Sequence, residues 1–339
     1  MARSISQGTP VVYVAMNYRL SGFGFLAGKS FSRLEPCSPL TLILSSAGGE
    51  VEDEGVGNLG LRDQQAALLW VQKYIHLFGG DKNQVTLWGE SAGAMSASFH
   101  MLAPPSANLF HRVWLNSGSL IPVRARSPDQ VASAGQNHFD FLSRTVGCDS
   151  VPSGAQLNCL RHVPFDQLAD AINQTPDLFA YSSLNLPWIP RVDGQFLERS
   201  PLELLDEGSY VRVPVVVGDC DDEGTLFALS QLNITTSGQA MGWIRSNYLP
   251  EGTDQEFSRL AELYPADPTQ GSPFGTGYLN QLSPQFKRLA ALQGDLVFQA
   301  PRRFLLRRLA TTQAVWSFNY KRGKTTAWFG AFHGSELES

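Results

Sequence analysis

Val85-Thr86-Leu87-Trp88-Gly89-Glu90-Ser91-Ala92-Gly93-Ala94-Met95 decides how the rest of the chain reads. The β-branched and aromatic run Val85 to Trp88 predicts a buried strand. Ala94 to Leu102, rich in Ala, Met and Leu, predicts a helix. Gly-x-Ser-x-Gly lies between them, so the chain must turn sharply through Ser91 on strained backbone angles. Cβ atoms at Gly89 and Gly93 are expected to collide with the neighbouring helix and strand. Such a turn is a nucleophile elbow: it lifts the Ser91 hydroxyl clear of the sheet and aims the Ala92 N–H at a reacting carbonyl. The three-residue pattern alone also fits a glycine-rich structural turn. The strand before it and the helix after it weigh for the elbow.

Working outward, the same alternation recurs. Val11-Val-Tyr-Val-Ala-Met16 reads as a strand buried on both faces of a parallel sheet. Asn58 is expected to cap a helix whose buried face is Leu61, Leu68, Val71, Ile75 and Phe78, stopped by Gly79-Gly80. Further strands are expected at Val113–Gly118, Val213–Gly218 and Val315–Tyr320. Residues 128–174 read as interrupted helix, Leu202–Leu205 as a helical turn, and 238–309 as helices broken by prolines. This is an α/β pattern with a mostly parallel central sheet flanked by helices. No internal repeat or low-complexity linker interrupts it, so residues 1–339 are expected to form a single domain. Residues 30–50 mix Pro, Ser and a short apolar run, Leu40–Leu44, without period, and read as an insertion loop.

Composition narrows the function classes. The chain has 339 residues, 43% of them hydrophobic, enough for a full core, and a net charge of −5 with no basic block. Nothing in that balance suggests nucleic acid as a partner. No apolar run approaches a membrane span, and the first residues carry no apolar signal-peptide core. The four cysteines show no metal-ligand spacing, and neither metal nor cofactor is expected. Cys148 and Cys159 bracket a short polar segment that suits a local disulfide as well as it suits two reduced buried thiols. Asn173-Gln-Thr175 and Asn233-Ile-Thr235 are sequons that would accept glycans in a secreted protein.

A serine hydroxyl needs an imidazole base, and the imidazole needs a carboxylate to fix its tautomer. The acid is expected at the C-terminal end of a later strand, where open parallel sheets place their chemistry. Asp219-Cys220-Asp221-Asp222-Glu223, after the Val213 strand, is the best such place. Of the six histidines only His333 lies beyond it, in a loop after the last strand. The other five, His76, His100, His111, His138 and His162, read as structural. Two or three of the four carboxylates in the acidic turn are expected to be solvated. Phe227, Phe329 and Phe332 are expected to pack in the core rather than line a substrate pocket.

The chain resembles the type-B carboxylesterase/lipase family of the α/β-hydrolase fold, which includes cholinesterases and fungal lipases of the Candida and Geotrichum kind. The residues that carry the likeness are Pro10–Leu26, Gly57–Gln64, Phe78-Gly-Gly-Asp81, Val85–Ala94, Val192-Asp-Gly194, Asp222-Glu-Gly-Thr225 and Gly330-Ala-Phe-His-Gly-Ser-Glu336. The resemblance implies an ester hydrolase with Ser91 as nucleophile, Glu223 as acid, His333 as base and Ala92 as an oxyanion-hole donor. It also implies pairing of Cys148 with Cys159, and a secreted parent acting on small-molecule or lipid esters.

The sequence departs from that family in three places. No His-Gly-Gly-Gly-type oxyanion segment precedes the Val11 run, the chain stops soon after His333, and residues 30–50 have no counterpart. A fragment lacking both ends is therefore expected, poorly folded or weakly active on its own. The alternatives are a catalytically impaired product and a non-catalytic binding relative of the same fold.

Overall fold

The computed structural model describes residues 2–27, 49–120, 128–152 and 154–338. Four strands, β1 (Thr86–Glu90), β2 (Arg112–Asn116), β3 (Val215–Cys220) and β4 (Val315–Tyr320), pair in parallel in chain order. Val113, Leu115, Val215 and Val217 point into the core and are fully buried. Trp88, Trp114, Val216 and Trp316, aligned across the sheet, lie on the more open face. Glu90 aligns with Asn116, and Asn116 with Gly218. The residues that follow β1, β2 and β3 therefore gather at one edge, the C-terminal edge where parallel sheets place their sites.

Helices make the crossovers. α1 (Leu59–Tyr74) precedes β1, and α2 (Ala92–Leu102) links β1 to β2. α3 (Pro128–Thr145), α4 (Gln156–His162) and α5 (Phe165–Asn173) lie between β2 and β3. α6 (Ser237–Asn247), α7 (Asp254–Leu263), α8 (Phe286–Gly294) and α9 (Ala300–Leu309) lie between β3 and β4. α6 and α7 both open with a capping box, Thr236 with Gln239 and Thr253 with Glu256, which satisfies two orphan N-terminal N–H groups at each start. The largest apolar cluster joins Leu61 of α1, Ala97 and Met101 of α2, the inner residues of β2 and β3, and Leu305 of α9. A second packs Trp243, Tyr248, Phe286, Leu289 and Phe298 beneath the loops that follow β3. A disulfide joins Cys148 to Cys159, and around it lie Phe139, Leu157 and Leu160.

Local details differ from expectation. Asn58 precedes α1, but it is in the left-handed region (φ 50°) and its side chain makes no cap. Its amide instead clamps the Arg191 backbone, with Nδ2 donating to the Arg191 carbonyl at 2.6 Å and Oδ1 accepting from the Arg191 N–H at 3.0 Å. Helix α1 buries Leu61, Leu68 and Val71 and runs into a 3-10 turn that buries Ile75 but leaves Phe78 60% exposed. Gly79 then stops it with φ 77°. The Val11–Met16 run forms no ladder. A strand needs a hydrogen-bonded neighbour, and among the described residues β1 pairs with β2 alone. Within the run Tyr13 meets Trp88 edge-on, and three residues beyond it the Arg19 side chain grips Asp63 of α1 through two bonds of 2.7 and 2.6 Å. Of the expected 30–50 insertion loop, residues 30–48 lie outside the described residues. Among those described, no helix is long and apolar enough to cross a membrane.

Candidate active site

β1 ends at Glu90, and α2 begins at Ala92, so Ser91 alone makes the turn. Its angles, φ 53° and ψ −121°, are ones an L-residue adopts only when its surroundings force it, at a cost of about 1–3 kcal/mol. The forcing groups are visible. The Ser91 N–H donates to the Asn116 carbonyl at 2.9 Å, and the Ser91 carbonyl accepts the Met95 N–H at 2.9 Å. A Cβ on Gly89 would lie 2.2 Å from the Gly93 carbonyl carbon. Gly93 does not behave as expected: a Cβ there meets no atom within 4 Å, because the close approach is made by Gly89 against the Gly93 backbone and not by Gly93 itself. The second indispensable glycine is Gly118, after β2, where a Cβ would stand 2.5 Å from the Ser91 carbonyl oxygen. Ala92 opens α2, so its N–H has no acceptor within the helix.

His333 lies in the loop after β4, with 9% of its side chain exposed. Its Nδ1 is 2.6 Å from Glu223 Oε2, and its Nε2 is 2.8 Å from Ser91 Oγ. An ionised carboxylate only accepts hydrogen bonds, so Nδ1 carries the proton and Nε2 is left to accept from the serine hydroxyl. Phe298 and Phe227 flank the ring at 4.7 and 5.1 Å, so Phe227 packs in the core, as expected, and also against the imidazole. Burial disfavours the charged ring, but the hydrogen bond to Glu223 and the charges of Glu223, Glu90 and Glu336 outweigh it. The imidazole pKa stands above its ordinary value.

The acidic turn after β3 is not a solvated one. Asp219, Asp222 and Glu223 are buried, and Asp221 is nearly so. Each is partnered, two of them by the same lysine. Asp219 pairs with Arg302 at 2.6 Å, and burial still pushes it up to about 7. Asp221 pairs with Lys321 and Lys324, and Asp222 with Lys324. Glu223 accepts the Ser117 hydroxyl at 2.5 Å and the Cys220 N–H at 2.6 Å, besides the His333 ring. Cys220 itself is a buried free thiol that donates to Glu336 Oε2 at 2.9 Å; burial first, then the charge of Glu223, raises its pKa.

Several residues at the site were not foreseen. Glu90 Oε1 is 3.2 Å from His333 Nε2, yet has no hydrogen-bond donor of its own. Ser117, with φ 51°, braces Glu223, and Glu336 accepts from Asn116 Nδ2 at 2.9 Å. A signal was present in the sequence, since each adjoins a strand end or a motif already singled out. His100, by contrast, is a core residue held between Ser106 and Gln64, with a pKa lowered by burial to about 4. Asn173 and Asn233 are exposed. Among the described residues no group of three His, Cys, Asp or Glu side chains is placed to hold a metal ion.

Chemically, the set offers a hydroxyl, a proton acceptor oriented by a buried carboxylate, and a helix N-terminus beside the hydroxyl. Residues 47–339 match the sequence profile of the Carboxylesterase family. The chain is 37% identical to Lipase 2 of Diutina rugosa over 343 residues, covering 99% of this chain and 58% of that protein. It is 37% identical to a secreted triacylglycerol lipase of Gibberella zeae over 99% of this chain and 54% of the relative. Lipase 2 of Geotrichum candidum is 36% identical over 98% of this chain and 56% of its own length. The chain thus spans little more than half the length of the curated relatives it matches.

Proposed function

The chain belongs to the carboxylesterase family, and from that membership we propose that it carries the catalytic groups of a carboxylic-ester hydrolase. Ser91 Oγ attacks the ester carbonyl while His333 Nε2 takes its proton. Glu223 holds the imidazole in the tautomer that can accept, and stabilises the imidazolium that forms. The Ala92 N–H donates to the oxyanion. Collapse of the tetrahedral intermediate leaves an acyl group on Ser91, and the alcohol departs with the proton from Nε2. Water, deprotonated by His333, then releases the acid and restores the serine.

The observation that carries this reading is the unbroken bond chain from Ser91 through His333 to Glu223, at 2.8 and 2.6 Å, on a strained elbow. All three side chains stand in place, which weighs against a binding-only relative. The name of the Gibberella zeae relative, a secreted triacylglycerol lipase, makes triacylglycerols the first substrates to test, and it supports secretion of the whole protein. The disulfide and the two exposed sequons fit the same compartment. Labelling by a fluorophosphonate probe, mapped to Ser91 and lost in Ser91→Ala, together with p-nitrophenyl butyrate hydrolysis, tests the reading. A chain that folds but takes no label defeats it.

A further inference from the structure

Asp222 precedes the proposed acid by one residue, and its carboxylate is fully buried. Oδ2 accepts the Ala331 N–H at 2.8 Å, and the Asp222 N–H donates to the Ala331 carbonyl at 2.9 Å. This reciprocal pair welds the acidic turn to the loop that carries His333 two residues later. Oδ1 accepts from the Phe274 N–H at 2.8 Å and the Ser272 hydroxyl at 3.1 Å, which ties in a third segment. Lys324 Nζ reaches both oxygens, at 2.8 and 2.7 Å, as well as Asp221 and the Phe274 carbonyl. Two further bonds close the same seam, from the Asp221 N–H to the Tyr320 carbonyl at 2.9 Å and from the Thr225 hydroxyl to the Phe329 carbonyl at 2.8 Å. The fit is close. Gly330 has φ 63°, and a Cβ there would lie 2.2 Å from Asp222 Oδ2.

We propose that Asp222 and Lys324 are a positioning pair that fixes the separation of Glu223 from His333 by stitching their two loops together. The inference rests on the proposed catalytic reading and deepens it. The physical argument is the burial of one charge. A buried carboxylate keeps its charge, and so its grip on three donors, only while a cation balances it. Without the Lys324 ammonium the buried carboxylate loses the group that holds both of its oxygens, and it turns toward water. That turn loosens the bond from the Ala331 N–H, and the His333 loop is then free to drift from Glu223 and Ser91.

The test compares wild type with Asp222→Asn, Lys324→Met and Lys324→Arg. Proton NMR reads the low-field Nδ1–H resonance of His333, and fluorophosphonate labelling of Ser91 is followed against pH. Asp222→Asn and Lys324→Met are expected to melt cooperatively but to lose or broaden the resonance. Labelling should slow by about tenfold or more, since small misplacements of a reacting group are costly. Its acid limb should move to lower pH, because a loosened Glu223 no longer raises the His333 pKa. Lys324→Arg should restore all three. A lowered melting temperature with wild-type resonance and pH profile would overturn the proposal, because that is a structural role alone. So would a wild type that labels but shows no such resonance. Lys324 is partly exposed, so Lys324→Met decides the matter if Asp222→Asn does not fold. A wild type with the resonance but without labelling would sink the esterase reading and leave the stitched loops standing.

Discussion

Glu90 Oε1 and Ser91 Oγ face the same atom, His333 Nε2, at 3.2 and 2.8 Å. While Nε2 is unprotonated, the serine hydroxyl donates to it and the Glu90 oxygen has no donor. Once Nε2 takes the serine proton, Glu90 gains an ion pair. The ion pair exists only while His333 is an imidazolium, as it is once the serine proton has been taken, and stabilisation gained at that point accelerates the reaction. Glu90→Gln should lower the plateau rate of labelling and hydrolysis. It should also move the acid limb to lower pH, since one of the charges that raise the imidazole pKa is gone. Rate–pH profiles of the two proteins check both effects, and an unmoved limb would remove Glu90 from the site.

The sign of the wild-type pH dependence follows from the same ring. Because His333 must be neutral to act and its pKa is raised, activity should fail as pH drops through a value above the ordinary imidazole figure of about 6.5. Glu223→Gln removes the acceptor that fixes the tautomer. A loss of about 10⁴ in kcat is expected, as for other triads deprived of their carboxylate. Stopped assays with p-nitrophenyl butyrate measure it, provided circular dichroism shows the fold retained.

The glycines of the elbow are not equivalent. Gly89→Ala places a methyl group 2.2 Å from backbone and should abolish labelling with a clear fall in melting temperature. Gly93→Ala meets open space inside the first turn of α2. It should therefore be tolerated, or stabilise the chain by about 0.4–1 kcal/mol through the unfolded state. Differential scanning fluorimetry separates the two.

His100 gives a stability prediction. Its folded pKa is near 4, against about 6.5 when unfolded, so the folded state holds the ring neutral. That contribution is complete above pH 6.5 and is lost as pH falls from 6.5 towards 4. The loss reaches about 2 kcal/mol at pH 5 and about 3 at pH 4. Urea unfolding at pH 7 and pH 5 should show it in the wild type, and His100→Gln should flatten that part of the pH dependence.

Much of the site can be read from the chain because its parts announce themselves locally. A Gly-x-Ser-x-Gly between a strand and a helix has one conformation open to it, and an acid after a later strand leaves His333 as the only base in order. The strand–helix alternation fixes the parallel sheet for the same reason. What the sequence hides are partnerships between distant residues. Four acids in one turn look solvated until Arg302, Lys321 and Lys324, all far along the chain, are seen beside them. Asn58 has the composition of a cap, but Arg191 claims its amide. Val11–Met16 has the composition of a strand, but pairing is decided by a neighbour and not by the segment.

The buried Cys220 thiol bears on how the protein can be handled. A thiol must ionise to attack a disulfide, and burial beside Glu223 holds this one protonated far above neutral pH. The Cys148–Cys159 crosslink closes a loop worth about 3 kcal/mol in the chain-entropy picture. In the folded state Cys220 cannot take part in exchange with it. Exchange through Cys220 would have to begin with opening of the very turn that holds Glu223, so a partner-swapped crosslink involving Cys220 would report that this edge of the sheet had come apart.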